Sequence, residues 1–225
     1  LQDPWANRDK RLTQTFMLPG VPVLRPNGQY TPYQPHPAYN QSEKINSEGG
    51  GLTGYMYLKF NEPNYSKPSE GFANWPIYRY AETLLIVAEA LNEYKPGDIQ
   101  IKTVLDQVRK RAGLPAITTA QLSDKNEMRQ IIREERRHEF VAEHKRNFDI
   151  LRWKIAEDVL SKPAYGINSD KNDPIGDWTK HKFLAQNRVF NKSKHYLWPI
   201  PQEAIDKNQK LLPQNGKKGD VKNKA

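Results

Sequence analysis

One stretch limits how this chain can fold more than any other: Met128 to Trp153, MRQIIREERRHEFVAEHKRNFDILRW. On a helix of 3.6 residues per turn, Met128, Ile131, Ile132, Glu135, Glu139 and Ala142 fall on one stripe. The stripe begins apolar and then carries two carboxylates where core residues belong. Phe140 and Val141 flank it, which predicts cover on both sides of its C-terminal half. A covered carboxylate needs a partner, and a bidentate guanidinium fork suits one that has left water. Arg136, Arg146 and Arg152 are the nearest candidates. Two uses are open to Glu135 and Glu139: an acid and base pair for hydrolysis, or anchors of a buried ion network. One turn apart on a rigid helix, they face the same way and cannot flank a substrate. The favoured reading is a structural network of Glu135, Glu139, Arg136, Arg146 and Arg152.

The other helices follow from periodicity. Trp75-Pro76 opens a helical part in which Ile77, Tyr80, Ala81, Leu84, Leu85, Ala88 and Leu91 repeat at helical spacing, closed by Pro96-Gly97. A second helix turns Ile101, Val104, Leu105, Val108 and Ala112 inward and stops at Gly113-Leu114-Pro115. Together they predict an antiparallel hairpin of about 34 residues, the length of a tetratricopeptide unit. One such hairpin cannot bury its faces alone. Ser123 or Asp124 caps the central helix, and Asp124-x-x-Glu127 matches a capping box. After a break near His144, a helix from about Asn147 to Leu160 turns Phe148, Leu151 and Ile155 inward, with Trp153 read as core.

The flanks read differently. Between residues 18 and 38, Pro19, Pro22, Pro26, Pro32, Pro35 and Pro37 rule out a continuous helix. Gly54 to Phe60 alternates and predicts one short half-buried strand. The expected architecture is therefore mostly α: a tetratricopeptide-like hairpin plus further helices, with long irregular loops and a short strand. It divides into a loop-rich segment (1–75) holding the strand and the candidate ligand loops, a helical core (76–160), and a loop-rich C-terminal segment (161–225) with a Pro-Ile-Pro motif and a basic tail.

Arg25 to Tyr39 reads RPNGQYTPYQPHPAY. Tyr30, Tyr33 and Tyr39 lie along a proline-stiffened loop beside Asn27. Sugars present apolar C–H faces ringed by hydroxyls, so a glycan site needs aromatic platforms next to amide groups. Proline lowers the entropy lost when such a loop is held for binding. The same tyrosines could simply pin the loop to the body. Trp178 is a further aromatic candidate in the later loop region. Near the start, Arg8, Asp9 and Arg11 read as a local salt-bridge clamp.

The chain carries no cysteine and a net charge of +9. The first fact excludes disulfides, thiolate metal sites and Cys nucleophiles. The second raises nucleic acid as a partner, but Asp124 to Trp153 interleaves eight Lys/Arg with seven Asp/Glu. Six lysines against two aspartates in Asp206–Ala225 carry nearly half the excess, as in a solvated tail. Nucleic acid is set aside. His138-Glu139 followed by Ala142 breaks the H-E-x-x-H zinc pattern, no G-x-S-x-G elbow appears, and no cofactor or metal is expected. No apolar run approaches the roughly 20 residues of a membrane-spanning helix.

Several motifs together resemble the SusD/RagB family. Ile132-Arg133-Glu134-Glu135-Arg136-Arg137-His138-Glu139-Phe140, then Arg146-Asn147-Phe148-Asp149-Ile150-Leu151-Arg152-Trp153, is similar to its I-R-x-E-R-R-x-E-L … R-F-x-D-L-x-R-W signature. Arg79-Tyr80-Ala81-Glu82, Val108-Arg109-Lys110-Arg111-Ala112-Gly113-Leu114-Pro115 and Leu197-Trp198-Pro199-Ile200-Pro201 resemble further family segments. Where the family has Gly-His before the arginine, this chain has His144-Lys145, placing a histidine where a left-handed glycine would suit. The resemblance implies the C-terminal half of a non-catalytic, glycan-binding lipoprotein on the bacterial outer membrane, its lipid anchor on the N-terminal part. It also implies three partners: an oligosaccharide or polysaccharide, a SusC-like TonB-dependent transporter, and the N-terminal half of the same protein. The alternative is a helical-repeat scaffold engaging only a protein partner.

Overall fold

The computed structural model describes residues 5–39, 43–45, 51–61, 74–168, 170 and 182–212. In chain order come α1 (Arg11–Thr15), β1 (Phe16–Met17), β2 (Pro22–Leu24), β3 (Tyr30–Pro32) and β4 (Met56–Tyr57). Helices follow: α2 (Tyr80–Tyr94), α3 (Ile99–Arg111), α4 (Thr119–Ser123), α5 (Lys125–Glu139), α6 (Lys145–Arg152) and α7 (Ala156–Leu160). Then come β5 (Ala164–Asn168), β6 (Lys182–Gln186), α8 (Lys192–His195) and α9 (Gln202–Lys207). The architecture is mostly α, and its strands occur only as two-stranded ribbons among the described residues. The chain divides into two compact units, Leu1–Arg146 with Gly166–Phe183, and Asn147–Tyr165 with Leu184–Ala225.

In the first unit, α2 and α3 form the expected hairpin. Leu84, Leu85 and Ala88 of α2 meet Ile101, Val104, Leu105 and Val108 of α3, and Met128 and Ile132 of α5 close the core with Phe140. The ends are chemically marked. Asp98 accepts a hydrogen bond from the Gln100 amide at the start of α3, and Asp124 accepts from Asn126 and Glu127 at the start of α5. Gly113 ends α3 in the left-handed region (φ +72°), its amide on the Lys110 carbonyl and that of Leu114 on Arg109. Ile77 and Tyr80, read as inward, are exposed. The helix starts only at Tyr80 because Arg79 is extended (φ −148°), drawn toward carboxylates of another segment.

The proline-rich flank holds more strand than its sequence suggests. β2 and β3 pair antiparallel with Val23 opposite Thr31 and Leu24 opposite Tyr30. Pro22 faces Pro32 in a pair that exchanges no hydrogen bonds, since the next bond runs from the Tyr33 amide to the Val21 carbonyl, so a missing N–H costs little there. The strand expected over Gly54 to Phe60 shortens to β4, which pairs with β1. Left-handed Gly54 (φ +77°) and Phe60 (φ +66°) lie on either side of it. Gly54 is also a close approach, since a Cβ there would stand 2.6 Å from Ile167.

Past α5 the backbone turns through Ala142 and His144, both left-handed. His144 therefore takes the conformation for which a glycine would be the easier choice, with its ring 4.9 Å from that of Trp75.

In the second unit the single helix expected from Asn147 to Leu160 is two. Left-handed Lys154 (φ +55°) breaks it, with the Lys154 amide on the Leu151 carbonyl and that of Ile155 on Ile150. Phe148, read as inward, is 69% exposed, and Asp149 and Ile150 are buried instead. Arg152 holds the Asp149 carboxylate at 2.8 Å, which lets that carboxylate leave water. Lys154 lies 4.4 Å over the Tyr196 ring, and Ile205 is the buried residue of α9.

Candidate functional site: an arginine–carboxylate cleft and an aromatic shelf

Glu135 and Glu139 continue the apolar stripe of α5 past its last core residue and are 2% and 4% exposed. Arg11 Nη1 donates to both, 2.8 Å to Glu135 Oε1 and 2.7 Å to Glu139 Oε2, while its Nη2 holds Asp9 at 2.6 Å. Arg109 donates to Glu135 Oε2 at 3.1 Å. Arg79 donates to Glu139 Oε1 at 2.5 Å, and Arg111 bonds the same oxygen. The network extends to Glu143, which Arg79 clasps through Nε and Nη2 at 2.8 Å each, and Lys59 joins at 2.5 Å. Burial alone pushes the Glu139 carboxyl up, but hydrogen bonds from Arg79 and Arg11 outweigh it and hold the group below the ordinary range. Burial likewise opposes Asp9, and the Arg11 hydrogen bonds again win. Carboxylates held ionised by guanidinium groups are poor proton donors.

The guanidinium groups holding Glu135 and Glu139 thus come from α1, α3 and the turn before α2, rather than from the neighbours the sequence put forward. Arg136, one residue from Glu135, is rotated about 100° away on the helix. It lies over Phe140 at 5.2 Å and 3.9 Å from Glu89. Arg152 bonds Asp149, and Arg146 is half-buried in α6. Arg11, expected only in a local clamp, is the shared partner of both glutamates, and Glu143, Lys59, Arg79, Arg109 and Arg111 join the network without having been expected there. Their signal was the pairing of buried carboxylates with Arg79 and Arg109–Arg111 inside the two resembling motifs.

A cleft of about 450 Å³ opens beside the network, with Lys10, Lys59, Phe60, Pro76, Arg111 and His138 in its lining. The Phe60 ring, which lines the cleft, lies 4.7 Å from that of Trp75, which is tilted in turn against His144 at 4.9 Å, so an aromatic shelf adjoins that wall.

The tyrosines separate. Tyr30 on β3 is 70% exposed, and Asn27 is exposed in the adjoining turn, its Oδ1 accepting from the Gln29 amide. Tyr39 is half-buried, edge-on to His36. Tyr33 is fully buried and cannot be a stacking platform. Its backbone pairs with Gly20 and Val21, which turns the ring onto Met17 and Val23, and burial with Glu43 nearby pushes its hydroxyl up to about 12. Trp178 lies outside the described residues.

A tetratricopeptide-like hairpin joined to loop-rich flanks places the chain among mostly α proteins with helical-repeat elements. It belongs to the SusD family, whose profile matches residues 1–217. It is 32% identical over 179 residues to SusD-like protein P2 of Formosa agariphila, covering 72% of this chain and 31% of that protein. A SusD-like protein from Bacteroides fragilis has the same fold (TM-score 0.75, 28% identity, 94% of this chain and 39% of that one). So does a SusD-like carbohydrate-binding protein from the same species (TM-score 0.71, 29% identity, 91% of this chain and 43% of that one). The chain spans about a third of the curated relative's length.

Proposed function

We propose that this chain is part of a protein that binds oligosaccharides at a bacterial cell surface without breaking a bond, and passes them to a SusC-like TonB-dependent outer-membrane transporter. The observation that carries the binding reading is the match, over 91% of the chain, to a structure described as a SusD-like carbohydrate-binding protein. The geometry agrees with it. Tyr30 offers an exposed ring beside Asn27 on a proline-edged ribbon, and the two glutamates that could have formed an acid and base pair are occupied by arginines. Glu135 and Glu139 act here as anchors of the fold. Tyr39 and Trp178 complete the proposed sugar contacts. Surface attachment by a lipid anchor on the N-terminal part belongs to the same proposal. Among the described residues no helix is long and apolar enough to cross a membrane.

A second reading, a helical-repeat scaffold engaging only a protein partner, is favoured by the outer face of α2. Tyr80, Ile86 and Tyr94 are exposed there on one stripe of the hairpin. Within the main proposal, the N-terminal half of the same protein covers that stripe.

Titrating oligosaccharides while following tryptophan and tyrosine fluorescence separates the two. Stacking plus a few hydrogen bonds predicts dissociation constants of about micromolar to millimolar, weakened several-fold in Tyr30→Ala. No response to any glycan leaves the scaffold reading.

A further inference from the structure

The cleft beside the ion network has a charge pattern that the fold alone does not use. Lys10, Arg11, Lys59, Arg79 and Arg111 line it against only two carboxylates, Glu139 and Glu143. The inner cations are spent: Arg11, Lys59 and Arg79 each bond one or both of these carboxylates. The outer ones keep capacity. The Arg111 side chain is 58% exposed although one nitrogen reaches Glu139. Lys10 is exposed and lies against Gly113, with no anionic partner among the described residues. His138 lines the same mouth. Beside the Phe60 and Pro76 wall of the cleft, Trp75 is roughly half exposed, its ring tilted against those of Phe60 and His144, two residues held in the left-handed region. The volume falls within the range of small-molecule sites, about 300–1,000 Å³.

From these features we infer that the cleft is a subsite for an acidic saccharide, one bearing a carboxylate or a sulfate ester. The inference rests on the saccharide-binding reading above and narrows its ligand class. The anionic group sits at the mouth between Lys10 and Arg111, where a low-dielectric wall focuses their field. Arg111 offers further N–H donors and Lys10 a mobile point charge, a combination that takes either oxyanion. The sugar ring lays its apolar C–H face on Trp75. Glu139 and Glu143 are not available to repel the ligand strongly, since each is already neutralised from within.

The test is calorimetric titration of the full chain with four probes: tetragalacturonate, its methyl ester, a sulfated carrageenan tetrasaccharide, and maltotetraose. The expected result is a preference of about ten-fold for one or both acidic probes over the two uncharged ones, shrinking as salt is raised. Whichever acidic probe binds names the oxyanion. Lys10→Glu removes the preference without lowering the melting temperature, Lys10→Arg retains it, and Arg111→Gln reduces it as an independent second variant. Trp75→Ala weakens acidic and uncharged probes alike. Equal binding of charged and uncharged probes, or a preference that survives Lys10→Glu, overturns the acidic-ligand inference and leaves saccharide binding standing. Failure of both acidic probes to bind overturns the acidic-ligand inference, while saccharide binding itself stands or falls with the wider glycan titration.

Discussion

The two halves of α5 are held by opposite means. Its first half, through Met128 and Ile132, is packed among Leu84, Leu85, Leu105 and Val108, residues of the α2–α3 hairpin. Its second half, through Glu135 and Glu139, is gripped by Arg11, Arg79, Arg109 and Arg111. Apolar contact is non-directional and rewards whatever lies near, so it assembles local neighbours. A hydrogen-bonded ion pair is directional, so it can fix a particular distant residue. Arg11 stands 128 positions before Glu139. The apolar half builds the helical body, and the ionic half attaches the loop-rich flank to it.

That contrast can be broken by substitution. The largest effect is expected for Glu139→Ala, which removes the carboxylate that joins Arg11, Arg79 and Arg111 and should cost about 3–5 kcal/mol in urea unfolding. A cost below about 1 kcal/mol would sink the account of the network. Ile132→Ala on the apolar half should cost about 2–5 kcal/mol by leaving a cavity. Acid tells the two apart. The Glu139 pKa is depressed by folding, so its contribution is present above its ordinary value of 4.5 and is lost as pH falls below it. The penalty of Glu139→Ala should therefore shrink in acid, while that of Ile132→Ala should stay.

Gly54→Ala comes next, at about 1–3 kcal/mol, because a Cβ there meets Ile167 and the backbone is left-handed. Thermal melting with and without Ile167→Ala checks it, and relief by the second change separates the clash from the backbone strain. Glu93→Gln is expected to be the smallest. Its carboxyl is held at about 2, chiefly by the Arg129 hydrogen bonds, yet the pair sits on the exposed surface. It should cost under about 1 kcal/mol, vanish in high salt, and disappear as pH drops from 4.5 toward 2.

How much was legible follows the same division. The hairpin and α5 could be read because packing of sequence neighbours writes a 3.6-residue period into the chain, and Leu84, Leu85, Ala88, Ile101, Val104, Leu105, Val108, Met128 and Ile132 are all buried. That Glu135 and Glu139 required partners was equally readable from where they sit on the stripe. Which arginines answered was not, because a helical period says nothing about residues on other segments, from Arg109, 26 positions before Glu135, to Arg11, 128 before Glu139. The β2–β3 ribbon was hidden by Pro22 and Pro32, which read as breakers although they face each other where the strands exchange no hydrogen bonds. Tyr33 and Tyr30 look alike in the loop, and only the pairing that turns Tyr33 inward distinguishes them. Phe148 deceived for the converse reason: a residue type that usually seeks the core sits exposed while Asp149 is buried in a bond to Arg152.

Arg11 sets a practical limit on dissecting this molecule. Its one side chain ties Asp9, Glu135 and Glu139 together, so the segment Tyr80 to Glu139, excised as a free-standing helical module, would carry two interior acids stripped of their shared counter-ion. Such a fragment would keep only Arg109 on Glu135 and Arg111 on Glu139, whereas one that also carried Asp9, Arg11 and Arg79 would keep the whole clasp.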